Sequence, residues 1–152
     1  REALAISRRL SLPYFQVLQP EYNLVNRSGF EAELQPLCVD QGIAVLPYYA
    51  LASGFLTGKY RSADDLGKSV RGGRVKDYLN ERGLRILAAL DAVAGRHRST
   101  PAAVAIAWLA ARPAVAAPIA SATSAEQLDT LIAGVRLKLA PEDHAELTAA
   151  SA

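Results

Sequence analysis

The sequence predicts an α/β fold in which short parallel strands alternate with helices, and two observations carry that prediction. Apolar runs of four to seven residues and segments of helical period succeed one another from end to end, the order that builds βα units and a parallel sheet. The composition supplies one core: 152 residues, 51% apolar, 21% charged and a formal net charge of +2. Such a chain is globular rather than disordered, and it offers no strong field for nucleic acid or an anionic membrane. With Cys38 as the single cysteine there is no internal disulfide, and no Cys/His cluster suits zinc. No apolar run reaches the roughly 18–20 residues of a membrane span. A reducing, cytoplasmic compartment is the expectation. The chain opens on Arg1 with no signal-like segment, as a processed chain or a piece of a longer one would.

Residues 2–10 have the look of a helix end, closed before Pro13. Tyr14–Leu18 is a strand run leading into the polar stretch Gln19–Arg27. Phe30, Leu34 and Leu37 then recur at helical spacing, giving a helix that stops near Gly42. Ile43–Leu46 is a second strand stopped by Pro47, followed by a long loop containing Ser53-Gly54, Thr57-Gly58 and Gly72-Gly73. Leu84, Leu87, Leu90 and Val93 mark a helix from Asn80 to Gly95. Thr100-Pro101 opens the next with Thr at the N-cap and Pro at the first helical position. That helix is apolar nearly all round, so it packs on both sides, and Pro113 follows its end. Ala114–Ala120 is the third strand, although Ala is a poor strand former and Pro118 cannot donate to a ladder. Ser124 and Gln127 have capping-box spacing for a helix from Ala125 to Ala133, with Gly134 as its stop. Pro141-Glu142-Asp143 opens a last short helix.

Three parallel strands leave two unpaired edges, and parallel sheets are covered on both faces. The pattern therefore fits part of a larger α/β fold. No dinucleotide-binding G-x-G-x-x-G, no P-loop and no G-x-S-x-G elbow is present. His97 and His144, both in polar helical surroundings, read as exposed. What remains is a set of polar residues at the carboxyl ends of the three strands, where open sheets and barrels bind ligands. These are Gln19 after the first, Tyr48, Tyr49, Ser53 and Lys59 after the second, and Ser121, Thr123 and Ser124 after the third. Hydroxyls at a helix N-terminus can hold phosphate, and Lys59 and Arg71 could clamp more of it. A plain capped helix and solvated cations account for the same residues.

Five ordered segments give this set a more definite meaning. Gln19-Pro20-Glu21-Tyr22-Asn23-Leu24, Gly42–Tyr48, Leu51–Tyr60, Thr100–Leu109 and Ala122–Leu128 resemble, in order, the aldo-keto reductase family. The resemblance covers essentially the whole chain and corresponds to the C-terminal part of that family's (β/α)8 barrel. It implies a partial TIM barrel, with the three strands as the sixth to eighth, and residues 1–152 as a C-terminal fragment of one barrel domain. A typical barrel has about 250 residues, a shortfall here of about 100.

The resemblance implies that NADPH, rather than NADH, lies extended across the barrel mouth. Gln19 would hydrogen-bond the nicotinamide carboxamide, for which an amide has matching donor and acceptor. Tyr48 would stack on the nicotinamide and exclude water from one face of the carbon that transfers hydride. Leu51, Ala52 and Ser53 would lie along the pyrophosphate, with Lys59 and Arg71 folding over it. Ser121, Thr123 and Gln127 would meet the 2′-phosphate end of the adenosine. The departures from the family pattern are Tyr49-Ala50 where Ser-Pro is usual, Thr130-Leu131 where many members have Glu-Asn, and Ser121 where some have Lys. No residue here matches the family's Asp, Tyr, Lys and His tetrad, so neither Tyr22 nor Tyr48 takes the proton-donor role.

The resulting expectation is an NADPH-dependent reductase of small aldehydes or ketones, of which this chain is the cofactor-binding half. It would be inactive alone, have no metal, and be completed by the N-terminal half of the barrel. Two alternatives stand beside it: a non-catalytic nucleotide-sensing subunit resembling the β-subunits of voltage-gated potassium channels, and an inactive truncated product.

Overall fold

A computed structural model describes every residue except 69–71. Helix α1 (Glu2–Arg9) carries Glu2 in its first turn and Arg8 and Arg9 in its last, charges that complement the helix dipole. Strands β1 (Val17–Leu18) and β2 (Ala44–Val45) pair in parallel, with Val17 beside Ala44 and Leu18 beside Val45. Each predicted strand run thus contracts to two residues of regular ladder. The pairing continues irregularly beyond it: the Tyr48 N–H donates to the Pro20 carbonyl at 3.0 Å, and Glu21 and Tyr48 form an isolated parallel bridge.

The third strand does not form as expected. Residues 114–119 lie along β2, but as one isolated parallel bridge between Val45 and Val115. The Val45 N–H donates to Ala114 O at 2.8 Å, and the Ala116 N–H donates to Val45 O at 2.9 Å. In a parallel ladder the next rung would take its two donors from Pro47 and Pro118, and neither has an N–H. The Ile119 N–H reaches the Pro47 carbonyl instead, at 2.8 Å, one residue late. Prolines on both sides of a single rung therefore stop the strand.

Two faces result. Val45 is fully buried under the helices, whereas alternation puts Val17, Gln19, Ala44 and Leu46 on the opposite face. That face is open, and Val17 is 49% exposed.

The expected helix after β1 is broken into α2 (Ser28–Glu31) and α3 (Leu34–Gln41), and Gly42 ends α3 in the left-handed region with φ +64°. Short 3₁₀ turns fall within Ala52–Thr57, interrupted by a kink at Ser53 and Gly54, and within Ala63–Lys68, followed by the single turn α4 (Gly72–Val75) and a 3₁₀ turn at Lys76–Tyr78. Helix α5 (Glu81–His97) is capped by Asn80, whose side chain accepts from Gly83 N at 2.9 Å. Helix α6 (Pro101–Ala110) is capped by Thr100, which accepts from Ala103 N at 3.2 Å. Every α6 residue from Ala102 to Leu109 is buried, as its all-round apolar sequence requires.

Helix α7 (Ala125–Arg136) runs past Gly134, so the expected stop there is wrong. Gly134 is instead where α7 crosses α6: a Cβ at this position would lie 2.8 Å from Ala103 O and 3.0 Å from the Ile106 Cβ. Helix α8 (Pro141–Ala150) completes the chain and packs against α5. Trp108, Tyr22, Tyr60, Phe30 and Phe55 are the large rings of the core. Among the described residues no helix is long and apolar enough to cross a membrane.

Candidate functional site

The ladder brings the carboxyl ends of β1, β2 and the 114–119 segment side by side, since Tyr48 N–H reaches Pro20 O and Ile119 N–H reaches Pro47 O. Gln19, Tyr48 and the Ser121–Gln127 segment therefore belong to three neighbouring strand ends. Gln19 is exposed, with its amide at the open rim. Tyr48 is half-buried, its ring set edge-on to Tyr49 with centroids 5.1 Å apart.

Asn23, which sequence reasoning did not single out for the site, secures this rim. It is fully buried. Its Oδ1 accepts from Val25 N at 2.8 Å and from Asn26 N at 3.0 Å, and its Nδ2 donates to the Tyr49 carbonyl at 3.0 Å. The turn after β1 is thereby tied to the turn after β2. The signal was available, because an Asn a few residues past a strand is a habitual side-chain-to-backbone turn former.

Beyond Tyr48 the chain takes a tight course in which Tyr49, Ala52 and Ser53 all have positive φ, 55°, 47° and 56°, together with Gly54 at 92°. Non-glycine residues there cost free energy and persist where surrounding contacts impose them. The contacts are visible. Ala52 N–H donates to Tyr49 O at 2.7 Å, Gly54 N–H to Leu51 O at 2.8 Å, and Thr57 Oγ1 to Gly54 O at 2.8 Å. Arg61 anchors the end of the loop with a bidentate pair to Asp91 of α5, 2.7 and 2.8 Å, and donates from Nε to Gly58 O at 2.7 Å.

Ala52 is buried, so it offers a ligand its backbone only, while Leu51 is half-buried and packs against the core. Ser53 is half-buried. Lys59 folds back over the loop: its Nζ lies 5.0 Å from the Tyr60 ring centroid, and a Cβ at Gly54 would sit 3.4 Å from that Nζ. That would be ordinary contact, so what asks for glycine at position 54 is its φ of +92°. Arg71 lies outside the described residues.

At the third strand end Ser124 caps α7, accepting from Gln127 N at 3.3 Å. Gln127 answers one residue earlier than a capping box requires, its Oε1 accepting from Thr123 N at 3.0 Å and from Thr123 Oγ1 at 3.1 Å. Those bonds use the acceptor end of the amide, and its Nε2 donor remains. With the exposed Ser121 hydroxyl beside the positive end of a helix, the segment is donor-rich and suited to an anion.

Neither histidine is exposed. His97 Nε2 is 2.6 Å from Asp143 Oδ2. His144 is half-buried, and burial first, then the charge of Arg112, hold its pKa below the ordinary imidazole value. Tyr22 is fully buried and donates to Glu31 Oε1 at 2.6 Å. Burial and that carboxylate push its phenol far above the usual range, so it is no proton donor.

Residues 5–152 match the model of the aldo/keto reductase family. The Escherichia coli K12 protein named "Protein tas" is 34% identical over 148 residues, 96% of this chain and 42% of that protein. A probable voltage-gated potassium channel subunit beta from Oryza sativa is 34% identical over 134 residues, 84% of this chain and 40% of that one. An Escherichia coli K12 protein named as an NADH-specific methylglyoxal reductase is 28% identical over 130 residues, 84% of this chain and 39% of its own length. The chain thus spans about two fifths of the length of these relatives. With the match running over nearly every residue, the chain belongs to the aldo/keto reductase family.

Proposed function

We propose that this chain is the nucleotide-holding part of an NADPH-dependent reductase of small aldehydes or ketones, and that its strand segments are the sixth to eighth of a (β/α)8 barrel. The observation that carries the proposal is the row of three adjoining strand ends with Gln19, Tyr48 and the donor-rich Ser121–Gln127 segment on them. The residues fit a nicotinamide dinucleotide. Gln19 offers a free-standing amide for a carboxamide, Tyr48 a flat ring at the rim, and the Leu51–Ser53 backbone with Lys59 a cradle for pyrophosphate. Ser121, Thr123 and Gln127 face the adenosine end, with Gln127 Nε2 as donor to a 2′-phosphate. Arg71 belongs to the same proposed grip.

When bound, the nicotinamide supplies the hydride; the chain's own groups orient the ring and keep water from one face. The proton donor is not on this chain, so the chain alone is inactive. The N-terminal half of the barrel supplies it, completes the carbonyl pocket and covers the open face bearing Val17. The cytoplasm is the proposed compartment.

Fluorescence titration of the chain with NADPH and NADH tests the reading. Binding is weak, with NADPH the tighter ligand. Gln127→Ala weakens NADPH about tenfold, about 1.4 kcal/mol, and leaves NADH nearly unchanged. No binding of either nucleotide, or equal losses for both, refutes the assignment.

A second reading has its own support, since two relatives named as potassium channel β-subunits are 34% and 35% identical, against 28–29% for relatives named as reductases. In that reading the completed protein senses nucleotide state without turnover. Carbonyl-dependent oxidation of NADPH by the chain joined to its N-terminal half separates the two.

A further inference from the structure

A cavity of about 530 Å³ is lined by Arg27, Arg112, His144, Thr148 and Ala149, and by none of the residues proposed to hold nucleotide. Its two arginines are in different situations. Arg27 is engaged: Nε and Nη2 donate to the two oxygens of Glu31 at 2.9 and 2.8 Å, and Nη1 donates to Thr148 O at 2.6 Å and Ser151 Oγ at 2.9 Å. Arg112 forms no hydrogen bond or ion pair among the described residues, and its Nε is buried without a partner. Its guanidinium lies over the Trp108 ring, 5.0 Å from the centroid, while Arg27 lies 5.7 Å from the same ring. The ring is fixed in turn by its Nε1, which donates to Thr148 Oγ1 at 3.2 Å. Glu31, the carboxylate whose charge reaches Arg112, already accepts from both Arg27 and Tyr22.

Arg112 is half-buried as a whole, and a donor atom shut off from water is ordinarily paired, because leaving it unmet costs more than the bond would return. Stacking on Trp108 orients the Arg112 guanidinium and leaves its in-plane donors unused, the arrangement that takes an oxyanion two oxygens at a time. We propose that this cavity is a binding site for a small oxyanion, phosphate or carboxylate, seated on Arg112 with the remaining Arg27 N–H and His144 as additional donors. His144 is neutral in this surrounding, so it contributes a hydrogen bond rather than a charge. The site is independent of the nucleotide assignment.

Trp108 makes the test direct, because it is the only tryptophan of the chain and is fully buried. Its emission is followed while inorganic phosphate, and in a second arm succinate, is added to the 152-residue chain at constant ionic strength held with chloride. A saturable change with a midpoint on the order of millimolar is expected. Arg112→Gln weakens it at least tenfold, Arg112→Lys less, and Arg136→Gln on exposed α7 surface not at all. The arm that saturates at the lower concentration identifies the ligand as phosphate or carboxylate. An unsaturable response, the same response in all three variants, or a solvent-exposed indole spectrum from the unliganded chain overturns the proposal. Should Arg112→Gln fail to fold, wild-type midpoints with Arg112→Lys decide it.

Discussion

Asp143 binds the start of α8 to the end of α5. Its Oδ1 accepts from Arg96 Nε and Nη2 at 3.1 and 2.8 Å, and its Oδ2 from His97 Nε2 at 2.6 Å and Ala140 N at 3.1 Å. Burial alone would raise the carboxyl pKa, but the hydrogen bonds from His97, Arg96 and Ala140 outweigh it and hold it at about 2, below its ordinary 3.8. Because the folded value is the lower, the stabilisation is fully present above about pH 4 and is lost as pH falls through about 2. Asp143→Asn is expected to cost about 1–2 kcal/mol at neutral pH, a modest figure because the Arg96 side chain is 49% exposed. Urea unfolding at pH 7 and near pH 2 checks it, since the gap between variant and wild type should shrink in acid. This clasp was not legible in the sequence. His97 stands among Arg96, Arg98 and Ser99, which reads as exposed surface, and its partner is 46 residues further on.

Among the elements, the helix starts were legible and the third strand was not. Asn80, Thr100 and Ser124 each cap through a backbone N–H three residues ahead, a contact written in adjacent sequence. The third strand depends on Pro47 and Pro118 meeting across one rung, and nothing in either local sequence reports the other. Gly134 illustrates the same limit. In sequence it resembles a helix stop, but its role comes from α6, whose Ala103 carbonyl lies where a side chain would go. Gly134→Ala is therefore expected to lower stability by about 1–3 kcal/mol, although alanine is the better helix former by about 1 kcal/mol. Gly95→Ala in α5, where a Cβ would meet nothing within 4 Å, should instead raise stability. Thermal melts of the two variants should move in opposite directions.

At the scale of the molecule, exposed apolar groups collect on two surfaces. Tyr14, Phe15 and Val17 are 54%, 71% and 49% exposed along β1 and its approach, and Leu128, Ile132 and Val135 form a stripe on α7 at 51%, 40% and 57%. Strand edges and apolar stripes of this kind promote association. The isolated chain should sediment as concentration-dependent oligomers, and Phe15→Lys with Val17→Lys should shift it toward monomer without loss of helical circular dichroism. That the sheet would leave open edges was readable from the small number of strands. Which loop residues turn inward was not: the family segments single out Ala52, but only its burial shows that backbone is all it can present. The two prolines that end the third strand also limit how its docking can be observed. Amide hydrogen exchange needs an N–H, and the rung nearest the site has none. Protection at Ala116 and Ile119, whose amides reach the Val45 and Pro47 carbonyls, thus reports whether this segment stays attached, and its fluctuations at positions 47 and 118 leave no isotopic trace.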